Sequence, residues 1–279
     1  MGLNDSLATL DTRVGVGPCK VILVLVAFHP GEEEVCRLQQ SLAALEPWIG
    51  YAVVVNDHRQ GEAVDRLAAG SRLFLANRDN PGYGKAVNRA VQALQQRGET
   101  AEWLGVLNTD LSWQQGTFET LFGWLKVHPE VVLAVPQLLD ADGVVQKLCK
   151  RHPTMLGLLS RRFIPARLKG RSLVRYDAWY VMAQQDYSQI FDVEYLSGCC
   201  MLMSMRAFQK VGGFDPSFFL YLEDADLTRS MAAIGRTIHL PIASIIHHWG
   251  RGNYRNWKLV FVNLHSAWIY FWKWGLRIK

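Results

Sequence analysis

Three carboxylates lie within four residues in one stretch of the chain. Glu223, Asp224 and Asp226 follow an aromatic run and precede Arg229, in the sequence GGFDPSFFLYLEDADLTRSMAAIG (212–235). Acids in a first helical turn are favoured by the helix dipole and can cap free amides, so an ordinary helix start is one interpretation. The aromatic residues before them are too apolar for a solvated loop, and we expect them to pack. They are Phe214, Phe218, Phe219 and Tyr221. Carboxylates on such a support are candidates for a general base or metal ligands.

Apolar runs predict the strands that must position these acids. Continuous apolar runs are typical of buried strands of a parallel sheet. The predicted strands are KVILVLVAF (20–28), YAVVVND (51–57), RLFLAN (72–77), EWLGVLNTDLS (102–112) and VVLAVP (131–136). Helical spacing over 31–45 and 117–127 places helices between them. Such βα units need right-handed crossovers, so the predicted fold is α/β and Rossmann-like, with a mostly parallel sheet flanked by helices.

Polar residues follow several of these strands. Open α/β sheets bind ligands beyond the carboxyl ends of their strands, so these residues predict a nucleotide crevice. The strand ends carry Ala27, Phe28 and His29 after the first strand, Asn56 and Asp57 after the second, and Asn108, Thr109 and Asp110 after the fourth.

A glycine-containing loop, NRDNPGYGKAVNRAVQAL (77–94), follows the third strand. Gly82 and Gly84 permit close backbone approach, Lys85 offers a charge for a phosphate, and the helix that begins here can direct amides at an anion. A helix start with a glycine turn explains the glycines as well. It does not explain Asn88, which lies inside the predicted helix.

The motif GGFD, followed by FFLYLEDADL, R and G, resembles the C-terminal signature of inverting family-2 glycosyltransferases with a GT-A fold. The C-terminal stretch RGNYRNWKLVFVNLHSAWIYFWKWG resembles the tail of O-antigen and core rhamnosyltransferases of that family. The resemblance covers roughly residues 20–275 and implies one catalytic domain over 1–279. Its nucleotide-sugar-binding half would be 19–140. Its acceptor-binding half would be 141–279, ending in an amphipathic helix.

The resemblance also implies roles for individual residues. The general base falls on Asp224, beside Glu223, and Gly198 would open toward the donor sugar. Asn80, Gly82, Gly84 and Asn88 match the family's nucleotide-sugar loop. Family members usually have Asp-Asn at the second strand end, where this chain has Asn56-Asp57, so either side chain could contact the nucleobase.

A divalent cation is also implied by the resemblance. The family's Asp-x-Asp is Asn108-Thr109-Asp110 here, so Asp110 is the remaining acid for Mg²⁺ or Mn²⁺, which accept oxygen ligands and keep several waters. A histidine completes the metal shell in related enzymes. His247 matches better than His248, although two histidines closing a strand beside a turn have a purely structural interpretation too.

The second half of the chain is basic and aromatic. Residues 147–175 hold nine Lys or Arg and no acid, and no acid follows Asp226. This pattern fits an anionic partner such as phosphorylated lipid, a membrane surface or nucleic acid, or simply a solvated basic face. The C-terminal segment is too polar to span a membrane; its tryptophans suit an interfacial helix or core packing.

Together these features predict an enzyme that moves a sugar with inversion, in a single displacement. L-rhamnose from dTDP-L-rhamnose, and a lipid-linked or lipopolysaccharide acceptor, are implied by the resemblance alone. The five cysteines form no metal-like spacing and the N-terminus resembles no secretory signal, so we expect a cytoplasmic enzyme at the inner face of the cytoplasmic membrane, with no nucleic acid partner.

Two alternatives remain at this stage. A sugar-1-phosphate nucleotidyltransferase has a related sheet, but such enzymes carry a basic glycine-rich loop after the first strand, where AFHPGEEE is acidic. A membrane-associated or nucleic-acid-binding module on an inactive transferase fold would explain Asn108 and Asn56-Asp57, but not the retained Asp110 and Asp224.

Overall fold

The computed structural model describes residues 7–10, 19–248, 257–276 and 278. In this part of the chain, ten strands form one mixed sheet with helices around it. The strands are β1 (Leu7–Leu10), β2 (Val21–Ala27), β3 (Ile49–Val55), β4 (Leu73–Asn77), β5 (Trp103–Asn108), β6 (Leu111–Ser112), β7 (Val131–Leu139), β8 (Phe191–Asp192), β9 (Cys200–Ser204) and β10 (Arg236–His247). The α-helices are α1 (Glu32–Ala43), α2 (Tyr83–Gln96), α3 (Thr117–Lys126), α4 (Met155–Phe163), α5 (Arg171–Tyr180), α6 (Met205–Lys210), α7 (Glu223–Ala232) and α8 (Trp257–Trp274).

The predicted parallel half of the sheet is confirmed. Strands β4, β3, β2 and β5 are neighbours in that order and run parallel, with Ala27 of β2 opposite Val55 of β3. Every residue of β2 is buried because helices cover both faces of the sheet. The carboxyl ends of β2, β3 and β5 therefore meet at one edge.

The other half is mixed. Strand β9 runs antiparallel between β5 and β7, and β10 pairs parallel to β7. The short β6 pairs with the end of β10, so that Leu111 lies opposite His247. This pairing brings the residues after β5 next to the histidines at the end of β10.

Two predictions about strands were wrong. The apolar stretches RTIHLP (236–241) and SIIHHWG (244–250) predict two separate short strands, but β10 is continuous from Arg236 to His247, with a register shift between Leu240 and Ser244. Pro241, which has no amide to donate, lies in that interval. The polar, glycine-containing stretch 1–18 predicts a tail outside the sheet, but residues 7–10 pair with β4. The rest of that tail, and residues 249–256, lie outside the described residues.

A second apolar cluster lies beside the main core. It joins Phe218, Leu222 and Ala225, around the start of α7, to Tyr270 and Phe271 of α8. The other face of α8 exposes a row of aromatic side chains. They are Trp257, Phe261, Trp268 and Trp272. Core packing and an exposed aromatic face, which were alternatives in the sequence, thus occur on opposite sides of one helix. No helix in the described residues is long and apolar enough to cross a membrane.

Candidate active site

Asp110 and His247 face each other where β6 meets β10. Their Oδ2 and Nε2 atoms are 3.3 Å apart. Gln146 holds the histidine from behind: its amide nitrogen donates to the His247 carbonyl (3.0 Å), so its amide oxygen accepts from Nδ1 (2.8 Å). With Nδ1 as the donor, a neutral His247 turns the lone pair of Nε2 toward the Asp110 carboxylate. That arrangement is stable only if a proton or a cation lies between them.

The same residues fit a divalent cation. Oδ1 of Asp110 is buried and has no hydrogen-bond partner among the described residues. Carboxylate oxygen and imidazole nitrogen are both ligands of Mn²⁺, and Mg²⁺ accepts the carboxylate. The described residues contain no group of three or more His, Cys, Asp or Glu that could hold a metal. A cation at Asp110 and His247 would therefore need further ligands from substrate and water.

His248 is used differently from His247. Its ring accepts from or donates to the Ser112 hydroxyl (2.7 Å), while its backbone amide donates to the Asp110 carbonyl (2.8 Å). The His248 side chain therefore links β6 to the residue that follows β10. Of the two histidines, His247 is the one whose ring meets the Asp110 carboxylate. A cavity of about 440 Å³ opens beside both, lined also by Asp140 and Gln146.

Glu34 of α1 is a site residue that the sequence analysis missed. Its carboxylate accepts a short hydrogen bond from the Thr109 hydroxyl. Burial raises its pKa, and the nearby charge of Asp110 raises it further. Three consecutive glutamates at a helix start looked like an ordinary acidic first turn. The helical periodicity of α1 was the available signal. It places Glu34 toward the buried side, next to Val35, and leaves Glu32 and Glu33 exposed to solvent.

Asp224 is held firmly at the start of α7. Its Oδ2 accepts from the Gly198 amide (2.9 Å) and its Oδ1 from the Ala225 amide (2.9 Å). The chain enters the helix through Tyr221 (φ 70°) and Leu222 (φ 63°), two consecutive non-glycine residues in the left-handed region. Such backbone persists only when surrounding contacts enforce it, and it often marks functional sites. Here Leu222 is buried in the second apolar cluster.

Glu223 lies in a different environment from its neighbour. Its side chain is buried and its Oε2 has no partner among the described residues. Burial, and then the charge of Asp224, raise the pKa of Glu223 to about 8. Glu223 is therefore protonated at neutral pH and poorly suited to accept a proton. When two adjacent acids have different environments, they take different roles. Asp224 is the candidate base of the pair.

A single segment connects the two acids from opposite halves of the chain. The Asn108 amide donates to the Cys199 carbonyl (2.9 Å), and the preceding residue, Gly198, donates its amide to Asp224. Cys199 is close enough to both for their charges to act on it: burial first, and then Asp110 and Asp224 among other groups, set the pKa of its thiol at about 11. Asp110 and Asp224 thus border the same region.

The glycine loop packs against the turn before α7. Gly82 (φ 94°) has no room for a side chain, since a Cβ there would lie 2.2 Å from the Phe219 carbonyl oxygen. The Tyr83 amide donates to that oxygen (3.1 Å), and the Tyr83 hydroxyl donates to the Gly198 carbonyl (2.8 Å). Asn80 accepts from the Gly82 amide (3.0 Å). Gly84 would also clash, with the Phe214 side chain, while Lys85 is exposed.

Asn88 supports the site from inside. Its side chain accepts from the Phe214 amide (3.0 Å) and donates to the Phe214 carbonyl (2.7 Å). Both polar atoms are therefore used to fasten α2 to the segment before α7. The sequence analysis placed Asn88 among donor-binding residues, whereas these contacts give it a positioning role. They also explain an asparagine inside a helix.

The end of β3 separates Asn56 from Asp57. Asn56 is buried and accepts from the Asn77 amide (2.9 Å). Asp57 faces outward, bound to His29 Nε2 (3.0 Å) and Arg59 (3.3 Å). Hydrogen bonds to Glu62 and Asp57 raise the pKa of His29. Asp57 is therefore the accessible acid at this edge.

The end of β2 and the aromatic run before α7 each contain both buried and exposed side chains. Ala27 is buried, whereas Phe28 is 57% exposed. The expectation that the whole aromatic run packs was only half correct. Phe214 and Phe218 are buried, but Phe219 and Tyr221 are each 37% exposed.

The chain is similar in sequence to a known enzyme. No protein-family model matches the chain. Over 277 residues the chain is 29% identical to the N-acetylglucosaminyl-diphospho-decaprenol L-rhamnosyltransferase of Mycobacterium tuberculosis, in two strains. The match covers 91% of this chain and 87% of the relative.

Solved structures are similar in fold. GalNAc-T7 with UDP, GalNAc and Mn²⁺ has a TM-score of 0.57 at 12% identity, over 84% of this chain and 44% of that one. The mannosyltransferase PcManGT from Pyrobaculum calidifontis, with GDP-Man and Mn²⁺, has a TM-score of 0.55 at 14% identity, over 88% and 63%. The chain thus spans less than two thirds of either solved chain.

The fold is GT-A, and the chain is a glycosyltransferase. The motifs around Asp224 and in the C-terminal segment resemble those of family-2 rhamnosyltransferases. The mycobacterial relative confirms that resemblance.

Proposed function

We propose that this glycosyltransferase moves L-rhamnose from dTDP-L-rhamnose onto a lipid-linked saccharide, with inversion, in a single displacement. The rhamnose and the acceptor class come from the relative, whose name specifies an N-acetylglucosaminyl-diphospho-decaprenol acceptor. The observation that carries the proposal is the 198–199 segment, which hydrogen bonds to Asp224 and to the end of β5 before Asp110. Both acids can then act on one bound sugar.

Asp224 is the proposed general base. It would take the proton from the attacking acceptor hydroxyl as that oxygen bonds to the anomeric carbon. The two backbone amides that bind its oxygens fix its orientation, and a carboxylate has lone pairs left for a substrate hydroxyl. A positioned base commonly contributes on the order of 10²–10⁴ in rate.

Asp110 and His247 are the proposed ligands of Mg²⁺ or Mn²⁺. A bound cation would offset the charge that develops on the leaving diphosphate. The unpartnered Asp110 oxygen and the lone pair of His247 support this assignment. Gln146 holds His247, and Thr109 ties Glu34 to the same corner.

The nucleotide is proposed to lie along the carboxyl edge of β2 and β3. Asp57 would contact the base, and Phe28 and His29 would border it. The glycine loop and the start of α2 would lie along the diphosphate and sugar, where helix amides favour an anion. Gly198 would face the donor sugar.

We also propose that the enzyme is peripheral to the inner face of the cytoplasmic membrane. The exposed aromatic row on α8 supports this, because tryptophans favour the membrane interface. Exposed arginines on α4 and α5, among them Arg161 and Arg175, would attract anionic lipid.

A paired binding and transfer experiment tests the proposal. Purified enzyme is heated with dTDP-, UDP- and GDP-sugars, with and without Mn²⁺, and then assayed with N-acetylglucosamine linked through diphosphate to a short prenyl chain. Metal-dependent stabilisation by dTDP-rhamnose and transfer with inverted anomeric configuration are expected. Pyrophosphate release from dTTP and rhamnose 1-phosphate would favour the nucleotidyltransferase instead. Vesicle binding without donor affinity would favour the binding module.

A further inference from the structure

A lysine that the proposed mechanism does not use lies close to Asp224. Lys150 pairs with Tyr195 through two backbone hydrogen bonds of 3.0 Å. Its ammonium nitrogen lies 4.3 Å from the centre of the Tyr195 ring. Burial raises the pKa of the Tyr195 hydroxyl well above its usual value, and a hydrogen bond to Asp224 raises it further. One tyrosine therefore separates this ammonium from the candidate base.

The Lys150 ammonium has no anionic partner among the residues that the structure describes. Glu194, which precedes Tyr195 in the chain, is already paired: it accepts from Arg151 (3.1 Å) and from the His152 amide (2.9 Å). Burial lowers the pKa of Lys150, and only part of that effect is offset by the charge of Asp224. Lys150 is half-buried, so its ammonium is partly desolvated, and without a hydrogen-bonding anion that cost is not offset. An anionic group of a ligand would offset it.

A second cation lies within electrostatic reach. The charge of Arg161, an exposed residue of α4, further lowers the pKa of Lys150. Two cations that repel each other in the free protein are stabilised together by a multiply charged anion. The nearest acid on α5, Asp177, is paired with Lys169 and with the Ser160 hydroxyl (2.8 Å). Arg161 makes no ion pair with the described residues.

The position of this pair indicates which substrate it serves. Helix α4 packs through Met155 and Leu158 into the cluster that contains the inner face of α8. Arg161 thus belongs to a helix that contacts the inner side of α8, while Lys150 is linked through Tyr195 to the candidate base. The donor diphosphate already has a proposed partner in the cation at Asp110 and His247. In a lipid-linked acceptor the diphosphate lies between the sugar and the lipid, so with the sugar at Asp224 and the lipid toward α8 it would need cationic partners on this side of the site.

We propose that Lys150, together with Arg161, binds the diphosphate that links the acceptor saccharide to its lipid. This inference rests on the proposed function, since it requires a lipid-diphosphate acceptor. It adds a subsite that selects acceptors by their diphosphate and not only by their sugar.

The test compares two acceptors with one enzyme. One acceptor carries N-acetylglucosamine on a diphosphate-linked short prenyl chain, and the other carries it directly on an alkyl chain of similar length. Lys150→Met should raise KM for the diphosphate acceptor about 10- to 100-fold, the range for losing a hydrogen bond to a charged group. KM for dTDP-rhamnose, and kcat/KM for the alkyl acceptor, should stay within about twofold of the wild type. Lys150→Arg should restore part of the loss.

Further variants keep the result interpretable. Lys126→Met removes an exposed lysine at the end of α3 and should leave both acceptors unaffected. If Lys150→Met does not fold, Arg161→Met at an exposed position replaces it and should raise KM for the diphosphate acceptor alone. Equal losses on both acceptors, or a raised KM for the donor, would overturn the subsite. Absence of rhamnose transfer by the wild type would instead overturn the proposed function on which it rests.

Discussion

The two acids of the site are held in opposite ways. At the end of β5, Asp110 has one oxygen facing a histidine and the other buried without a partner. At the start of α7, both oxygens of Asp224 accept backbone amides at 2.9 Å. In the protein alone, one oxygen of Asp110 lacks a hydrogen-bond partner, whereas two backbone amides hold the Asp224 carboxylate in place.

This difference matches the two kinds of chemistry proposed. A metal ligand gains its interaction energy when the ion arrives, so unsatisfied atoms are expected there. A general base must be oriented before the substrate reacts, since its contribution depends on geometry. The strained turn at Tyr221 and Leu222 and the glycine loop packed against it both serve the second requirement.

The largest expected effect is at Asp224. Asp224→Asn has nearly the same shape as the wild-type side chain and can still accept from the Gly198 amide, but it lacks the basic carboxylate. The value of kcat should therefore fall on the order of 10²- to 10⁴-fold. Donor affinity, measured by calorimetry, should remain within a few-fold of the wild type. Turnover close to normal in this variant would remove Asp224 from the role of base.

The next largest effect is expected at Asp110, the proposed metal ligand. Removing a charged ligand should weaken Mn²⁺-dependent binding of dTDP-rhamnose at least about 10-fold. Donor binding without metal should change much less. The readout is the melting temperature with donor, at several Mn²⁺ concentrations. Equal loss of donor binding with and without metal would show that Asp110 acts on the protein and not on a cation.

The two histidines provide a matched pair. His247→Gln removes the ring that faces Asp110 and should raise the Mn²⁺ concentration needed for half-maximal activity, by about 10-fold. His248→Gln keeps a polar side chain near Ser112 and should have a smaller effect. The assay is activity titrated with Mn²⁺. Reversal of this order would assign the metal to His248.

The smallest expected effect concerns Glu223, beside the base. The folded protein retains a proton on Glu223 up to about pH 8, whereas the unfolded chain releases it near pH 4.5. The contribution of this side chain to stability should therefore decline as pH rises from about 4.5 to about 8. Glu223→Gln does not titrate, so its melting temperature relative to wild type should rise over that interval, by roughly 2 °C or more. Exposed Glu119→Gln should follow the wild type, and parallel curves for all three proteins would contradict the buried, protonated state.

The sequence predicted the local elements better than their pairing. Apolar runs located β2 to β5, since a buried parallel strand must be apolar throughout. No local pattern indicated that β9 would insert antiparallel between β5 and β7, or that β10 would bring His247 to Leu111. These pairings depend on which strand edges remain available after the parallel half forms.

For individual residues too, local patterns in the sequence did not indicate contacts between distant parts of the chain. Asp224 was found because its motif is long and local. Glu34 was missed because its bond to Thr109 joins residues 75 positions apart, and Asn88 was given a donor-binding role because its bonds to Phe214 span 126 positions. Sequence showed that Asn88 was unusual in a helix, but only the fold supplied its partner.

The most direct test of the account is a crystal structure of the Asp224→Asn variant with dTDP-rhamnose and Mn²⁺. We expect a metal ion bound by Asp110 and His247 and in contact with the donor diphosphate. We also expect the sugar to lie beside Gly198, with residue 224 facing its anomeric carbon. A metal bound elsewhere, or a sugar out of reach of residue 224, would contradict the claim that these two acids serve one transfer reaction.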